Sequence, residues 1–186
     1  MFGSSGGAAN ANASGAPSLP ANFECPPVQV RQGAATMTNY SNTAGEPTAT
    51  NLRYQVSIGT TARECKLNPG NMLSIKVGVQ GRVIVGPEGG PSAVIVPLRF
   101  AVVHELVDAV TITTKLDRIN VTMPPGDGNV LFTHVADGLD FPMPKGNAID
   151  NYVIYIGFDP AGLEPERKKP APKPRPKAIK QSRQTG

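Results

Sequence analysis

The chain of 186 residues has no tryptophan, two cysteines and two histidines, and only 5% of its residues are aromatic. The missing tryptophan excludes the antibody-type core, in which a tryptophan packs against the disulfide. The cysteines and histidines form no Cys-x-x-Cys and no His-x-x-x-His pair, which excludes the zinc-finger spacings. No apolar stretch is long enough to cross a membrane as a helix, and no signal-peptide core follows Met1.

The two histidines offer no catalytic arrangement. His104 and Glu105 are adjacent, and neighbours on a strand point to opposite faces. Neither His104 nor His134 stands in a recognisable pattern with a nucleophile or a second carboxylate. Asp127 and Asp137 each precede a glycine, which turn chemistry explains without a metal. The sequence therefore predicts a non-enzymatic protein with no metal and no cofactor.

The cysteines, Cys25 and Cys65, each stand at the end of a segment with a β-like pattern. No third thiol competes with them, so the sequence predicts one disulfide between them. A disulfide in turn predicts an oxidising compartment outside the cytoplasm. The alternative is a cytosolic protein with two free thiols, because free cysteine packs well as a small apolar residue.

Composition divides the chain into three parts. Residues 1–24 are rich in Gly, Ala, Ser and Asn, and residues 161–186 are rich in Pro, Lys and Arg. Neither part can bury enough apolar surface to offset the entropy of ordering it, so we expect a disordered tether and a disordered tail. Residues 25–160 are the predicted folded domain.

Hydrophobic residues in this domain alternate with polar ones, as in half-buried strands. Leu52, Tyr54, Val56 and Ile58 show the alternation, and many such segments are separated by Gly/Pro turns. The pattern predicts an all-β, two-sheet sandwich of about seven or eight strands, with an immunoglobulin- or fibronectin-like Greek key as the default arrangement. The predicted core comprises Val56, Ile75, Val77, Val79, Val96, Leu98 and Phe100.

Three finer expectations concern individual strands. Pro97 cannot donate to a ladder and predicts an edge position or a bulge for its strand. A short strand is expected over residues 130–135, and the last strand over residues 152–158. Arg31, Arg53, Arg63, Arg82 and Arg99 recur on polar strand faces, either as a solvated surface or as an arginine-lined binding face.

The charge is unevenly distributed. The whole chain carries 18 basic and 14 acidic residues, a net charge of +4. From residue 163 onward there are eight basic and two acidic residues, which gives +6 and leaves −2 for the rest. This balance argues against a nucleic-acid-binding domain and places the candidate contacts for an anionic surface on the tail. They are Arg167, Lys168, Lys169, Lys173, Arg175, Lys177, Lys180 and Arg183.

Several segments carry a family resemblance: CPPVQVRQGA at 25–34, LRYQ at 52–55, AREC at 62–65, VGVQGRVIVGP at 77–87 and VPLR at 96–99. In this order they resemble a group of small alphaproteobacterial outer-membrane lipoproteins without assigned activity. A shorter match, Cys-Pro followed by Gly-Ala, resembles accessory lipoproteins of the outer-membrane β-barrel assembly machine. The resemblance implies a lipid-anchored periplasmic β-domain without catalytic residues.

The start of the chain, FGSSGG at 2–7 followed by an Ala/Asn/Ser run, looks like the tether of such a lipoprotein. A signal peptide and a lipidated cysteine are then expected upstream of Met1. We expect a non-enzymatic periplasmic interaction or assembly module tethered to the outer membrane, with an envelope complex or an outer-membrane protein as partner. The alternative is a peptidoglycan- or polysaccharide-binding module that uses its loops and its basic tail on an anionic cell-wall polymer or lipopolysaccharide.

Overall fold

The computed structural model describes residues 17–41 and 45–163. Within them, eight strands alternate with turns and three short 3-10 helices (Ala49–Asn51, Gly146–Asn151 and Pro160–Leu163). The strands are β1 (Val28–Val30), β2 (Thr36–Tyr40), β3 (Leu52–Asn68), β4 (Met72–Val85), β5 (Ala93–His104), β6 (Val110–Thr122), β7 (Asn129–Pro142) and β8 (Tyr152–Phe158). The last strand has the predicted bounds.

The strands form two four-stranded sheets, which confirms the predicted all-β sandwich. Sheet A has the order β1-β8-β5-β6 and sheet B the order β2-β3-β4-β7. All pairs are antiparallel except β1 with β8. The hairpin β5–β6 lies in one sheet while β4 and β7, which flank it in the chain, pair in the other. An immunoglobulin constant domain instead pairs its first, second, fifth and fourth strands in one sheet.

Alternation along the strands builds the core between the sheets. All seven predicted core residues are buried, and Phe100, Leu98 and Ile75 are fully so. Leu139, Ile154 and Ile156 complete the centre from β7 and β8. The period-two pattern therefore assigned the inward faces correctly.

The strand β7 is longer than the expected segment 130–135. Asp137 and Gly138 together face Lys76 of β4, where the register shifts, and Gly138 has φ +75°. Such a two-against-one arrangement is a β-bulge, which glycine accommodates without a Cβ penalty. The Asp-Gly pair, which resembles a turn, bends the strand without ending it.

The prediction that Pro97 marks an edge strand or a bulge is wrong. The strand β5 lies between β8 and β6, and Pro97 pairs in regular register with Arg118, whereas the irregularity in β5 is between Val102 and Val103. The partner strand β8 ends at Phe158, opposite Leu98, and Asp159 N donates to Pro97 O at 3.0 Å. The N and C=O of one residue point to the same side of a strand, so the proline nitrogen faces a position where β8 has already ended. The missing N–H therefore removes no ladder hydrogen bond.

The packed domain is slightly longer than residues 25–160 at both ends. Leu19 and Phe23, within the expected tether, pack against the core. At the other end Gly162 lies against Leu116, and Arg118 Nε donates to Gly162 O at 3.0 Å. The remaining parts of the expected tether and tail lie outside the described residues.

Candidate functional site

The two sheets are joined covalently along one flank of the sandwich. Cys25, just before β1, is bonded to Cys65 of β3, with 5.8 Å between their Cα atoms. Arg63 Nε donates to Cys25 O at 3.0 Å. Since β2 pairs with β3 only from Leu52 to Ser57, Cys65 lies where β3 extends past its partner. We call Cys25, Cys65 and Arg63 the disulfide flank. The predicted disulfide between Cys25 and Cys65 is confirmed.

The opposite flank, between β6 and β7, is joined by ionisable side chains. His134 Nε2 lies 2.7 Å from Asp117 Oδ2, and Lys115 Nζ lies 3.4 Å from Asp117 Oδ1 and 3.2 Å from Asp137 Oδ1. Lys115 Nζ also donates to Asp137 O at 2.9 Å. Lys115 and Asp117 belong to sheet A, and His134 and Asp137 to sheet B, so this charged flank connects the two edges.

Two groups of the charged flank have shifted pKa values. Desolvation by itself lowers the pKa of Lys115, but its hydrogen bonds and attraction to Asp137 and Asp117 outweigh that effect and raise the pKa. The hydrogen bond from Lys115, followed by its positive charge, lowers the pKa of Asp137. Both shifts favour the charged forms, as expected of a structural ion pair, and no hydroxyl or thiol nucleophile is hydrogen-bonded to the imidazole among the described residues.

A row of three residues crosses the outer face of sheet A. Gly157 of β8 pairs with Arg99 of β5 on one side. On the other side Arg31 directly follows β1, and its Cβ lies 3.6 Å from the position that a Cβ on Gly157 would take. We call Arg31, Gly157 and Arg99 the arginine row. It borders a recess of about 230 Å³ that Ala34, Ala101, Tyr155 and Asp159 also line.

Two further contacts fix the side chains around this recess. Arg99 Nε donates to Asp159 Oδ2 at 2.5 Å, and Tyr155 OH donates to Glu105 Oε1 at 2.6 Å. The hydrogen bond to Glu105, together with desolvation, raises the pKa of Tyr155 above its ordinary 10.0. Arg31 has no side-chain partner within residues 17–41 and 45–163.

The hairpin between β5 and β6 ends in an apolar tip made of Leu106, Val107 and Val110. Val107 is fully exposed, and more than half of the surface of Leu106 and of Val110 is exposed. Glu105 N donates to Asn151 O at 2.7 Å and holds the base of the hairpin against the 3-10 helix Gly146–Asn151. Exposed apolar side chains that are grouped, rather than single, are typical of contact sites.

A larger recess, of about 420 Å³, lies at the opposite end of the sandwich. The β4–β5 turn contributes Gly90, Pro91 and Ser92, and the β6–β7 loop contributes residues 124–128, including Asp127. Its walls are mostly backbone, Pro and Gly. Asp127 is the one ionisable group among the residues that line it.

The structure tests part of the predicted site. Of the five recurring arginines, it brings Arg31 and Arg99 together, whereas Arg63 serves the disulfide flank. His104 stacks on Tyr152 with ring centroids 4.6 Å apart. The eight basic residues between Arg167 and Arg183 lie outside the described residues, so their role stays a prediction.

The described residues contain no candidate metal centre and no membrane-spanning helix. No group of three or more His, Cys, Asp or Glu side chains within residues 17–41 and 45–163 could hold a metal ion. In the same part of the chain no helix is long and apolar enough to cross a membrane.

Sequence reasoning did not find Gly157, Tyr155 or the apolar tip as functional candidates. Gly157 lies inside the predicted last strand, and a glycine within a strand signals a close approach or a gap between side chains. Its neighbours in the row become known only from strand pairing. Leu106 and Val107, two apolar residues in a turn between strands, were a readable signal for the tip.

Comparison with known proteins adds no relative: no family model, no curated protein and no solved structure matches this chain.

Proposed function

We propose that this protein is a non-enzymatic interaction or assembly module of the bacterial periplasm, tethered to the outer membrane. The observation that carries the proposal is the Cys25–Cys65 bond, since structural disulfides form and persist in oxidising compartments. The bond joins the N-terminal segment to sheet B. It therefore holds the start of the domain in place, close to the expected tether.

The apolar tip is the contact site that the proposal favours. Leu106, Val107 and Val110 project from the end of the sandwich that also holds Phe23 of the N-terminal segment. Phe23 and the base of the hairpin at Glu105 both adjoin the 3-10 helix Gly146–Asn151. Partners of such a tip are apolar pockets on envelope or outer-membrane proteins. Burying a valine or leucine side chain supplies about 1.5–3 kcal/mol, so two or three of them can anchor a contact.

Site-specific photo-crosslinking in the native host tests this proposal. A photoreactive residue in place of Val107 should give one discrete adduct in the envelope fraction, and Leu106→Ser in the same chain should abolish it. The same residue in place of Glu88, which is exposed in the turn at the opposite end, is the matched control. No adduct from position 107, or equal adducts from positions 107 and 88, would contradict the proposal.

A second candidate is a peptidoglycan- or polysaccharide-binding envelope module. The recess of about 420 Å³ at the loop end favours it, together with the basic residues between Arg167 and Arg183. Sedimentation with purified peptidoglycan and with lipopolysaccharide compares the full chain with a variant that lacks residues 164–186. We expect the full chain to bind better and the difference to shrink with added salt, because exposed charges are screened. Equal binding at low salt would reject a role for the basic residues.

A further inference from the structure

We infer that the arginine row on sheet A is a binding site for a small ligand that carries an oxyanion, either a carboxylate or a phosphate. The inference does not depend on the proposed function, because no residue that lines the recess belongs to the apolar tip or to the loop-end recess. It rests on the spacing, the shape and the charge of the described side chains.

The spacing suits an anion held between two guanidinium groups. Arg31, Gly157 and Arg99 lie side by side on three neighbouring strand paths, so the two arginine backbones are roughly 10 Å apart, twice the strand spacing. Arg99 and Gly157 face outward, since Leu98, Phe100 and Ile156 next to them are fully buried. Arg31 lies on the same face, because its Cβ is 3.6 Å from the position of a Cβ added at Gly157. Gly157 at the centre has no side chain and Ala34 packs over it, so the two arginines flank a low surface of small residues on which one ligand group can rest.

The shape of the recess follows from the small residues at its centre. Ala34 lies over Gly157, 2.6 Å from the position of an added Cβ, and Ala101 lies beside it on β5. Any larger side chain at position 157 therefore has no room. The ring of Tyr155 forms one wall, and the volume of about 230 Å³ admits a single sugar or amino-acid unit rather than an extended chain.

The charge of the recess is positive even though Asp159 lines it. Among the residues that line it, two arginines and one aspartate give a net charge of +1, and the nearby Glu105 carboxylate accepts the hydrogen bond of Tyr155 OH. Asp159 binds Arg99 through Nε, which orients the guanidinium and leaves its terminal N–H groups for a ligand. Arg31 has no competing side-chain partner in the described part of the chain. Carboxylates and phosphates match the planar fork of arginine, and the apolar surface of Tyr155 suits the sugar ring that carries them.

Ligand titration by NMR on the full chain tests the inference. The probes are galacturonate, glucose 6-phosphate and neutral glucose at constant ionic strength. We expect the two anions to shift the amide signals of Gly157 and Ala101 with a dissociation constant on the order of 1 mM, as is typical of a few charged contacts, and glucose to leave them unchanged. A response to one anion alone identifies that anion as the ligand group.

Variants distinguish anion binding at this site from nonspecific attraction to the positive charge of the protein. Arg31→Gln should weaken anion binding about five- to tenfold, the loss of one charge-assisted contact, and Arg31→Lys should restore part of it. Arg82→Gln removes an equal charge from the exposed face of sheet B and should change the affinity less than about twofold, because exposed distant charges are screened. Thermal unfolding verifies that each variant is folded.

Three results would overturn the inference. They are the absence of shifts at Gly157 and Ala101 with either anion, equal shifts with neutral glucose, and unchanged affinity in folded Arg31→Gln.

Discussion

The two flanks of the sandwich join the same two sheets by different chemistry. Both close the gap between the sheets, one through the Cys25–Cys65 bond and the other through Lys115, Asp117, His134 and Asp137. The covalent flank depends on redox conditions and is indifferent to salt and moderate pH. The charged flank depends on protonation and ionic strength. A single domain can therefore be loosened at either side by a different change of environment.

Truncating a core residue should lower the free energy of unfolding more than breaking either flank. Phe100 is fully buried, and its ring lies 6.2 Å from that of His134, so it packs next to the charged flank. Phe100→Ala should lower the free energy of unfolding by about 3–5 kcal/mol, the range for buried aromatic residues. Denaturant unfolding measures the loss. Ile95→Ala on the same strand, where the side chain is 53% exposed, is the control and should stay within about 0.5 kcal/mol.

Breaking the covalent flank should have the next largest effect. The double substitution Cys25→Ala and Cys65→Ala opens a loop with a sequence separation of 40 and should cost about 2–4 kcal/mol. Denaturant unfolding of the wild type with and without a reducing agent should give a similar difference. If reduction destabilises the double variant as well, the effect does not come from this bond.

Breaking the charged flank should lower the free energy of unfolding by a smaller amount. Asp117 is the shared partner of His134 and Lys115, and 14% of its side chain is exposed. Asp117→Asn keeps the size but removes the charge, so we expect a loss of about 1–3 kcal/mol, the cost of unpairing groups that are partly desolvated. The loss should fall at high salt, whereas the cost of removing the disulfide should not. Equal salt dependence of the two variants would contradict the comparison of the flanks.

The smallest expected effect is a pH dependence of the Lys115–Asp137 contact. The pKa of Asp137 is lowered from its ordinary 3.8, so its stabilising effect is present above that value and is lost as the pH falls through the folded-state pKa. The pKa of Lys115 is raised from 10.5, so its effect is present below that value and is lost as the pH rises through the folded-state pKa. Thermal midpoints of wild type and Lys115→Met should differ most between these limits and converge outside them. A constant difference at every pH would reject an ionic role.

The fold follows from local pattern more closely than the site does. Alternation assigned the inward faces of β4 and β5 correctly. Burial of one strand face gives a hydrophobic period of two, which can be read from a short local segment of sequence. The bounds of β7 did not follow, since an Asp-Gly pair is compatible with both a turn and a bulge. The position of Pro97 did not follow either, because it depends on where another strand, β8, ends.

The arginine row shows why a site is harder to predict than a sheet. Arg31 and Arg99 are 68 positions apart, and each follows an apolar residue, as a solvated arginine on a strand would. Only the pairing of β1 and β5 with β8 puts Gly157 between them. Strand order and register are properties of the whole molecule, and no local pattern contains them.

The parallel pairing of β1 with β8 has a consequence for how the chain folds. Val28 pairs with Ile154, a separation of 126 positions, so the first strand cannot complete its ladder until the last described strand is present. Such distant pairings slow folding and prolong the exposure of unpaired edges. Cys25 and Cys65 both precede β8 in the chain, so they reach an oxidising compartment first when the chain is exported from its N-terminal end. Oxidation can hold the beginning of the domain against β3 while β1 still waits for its partner, which makes the bond a restraint on the folding pathway as well as on the finished structure.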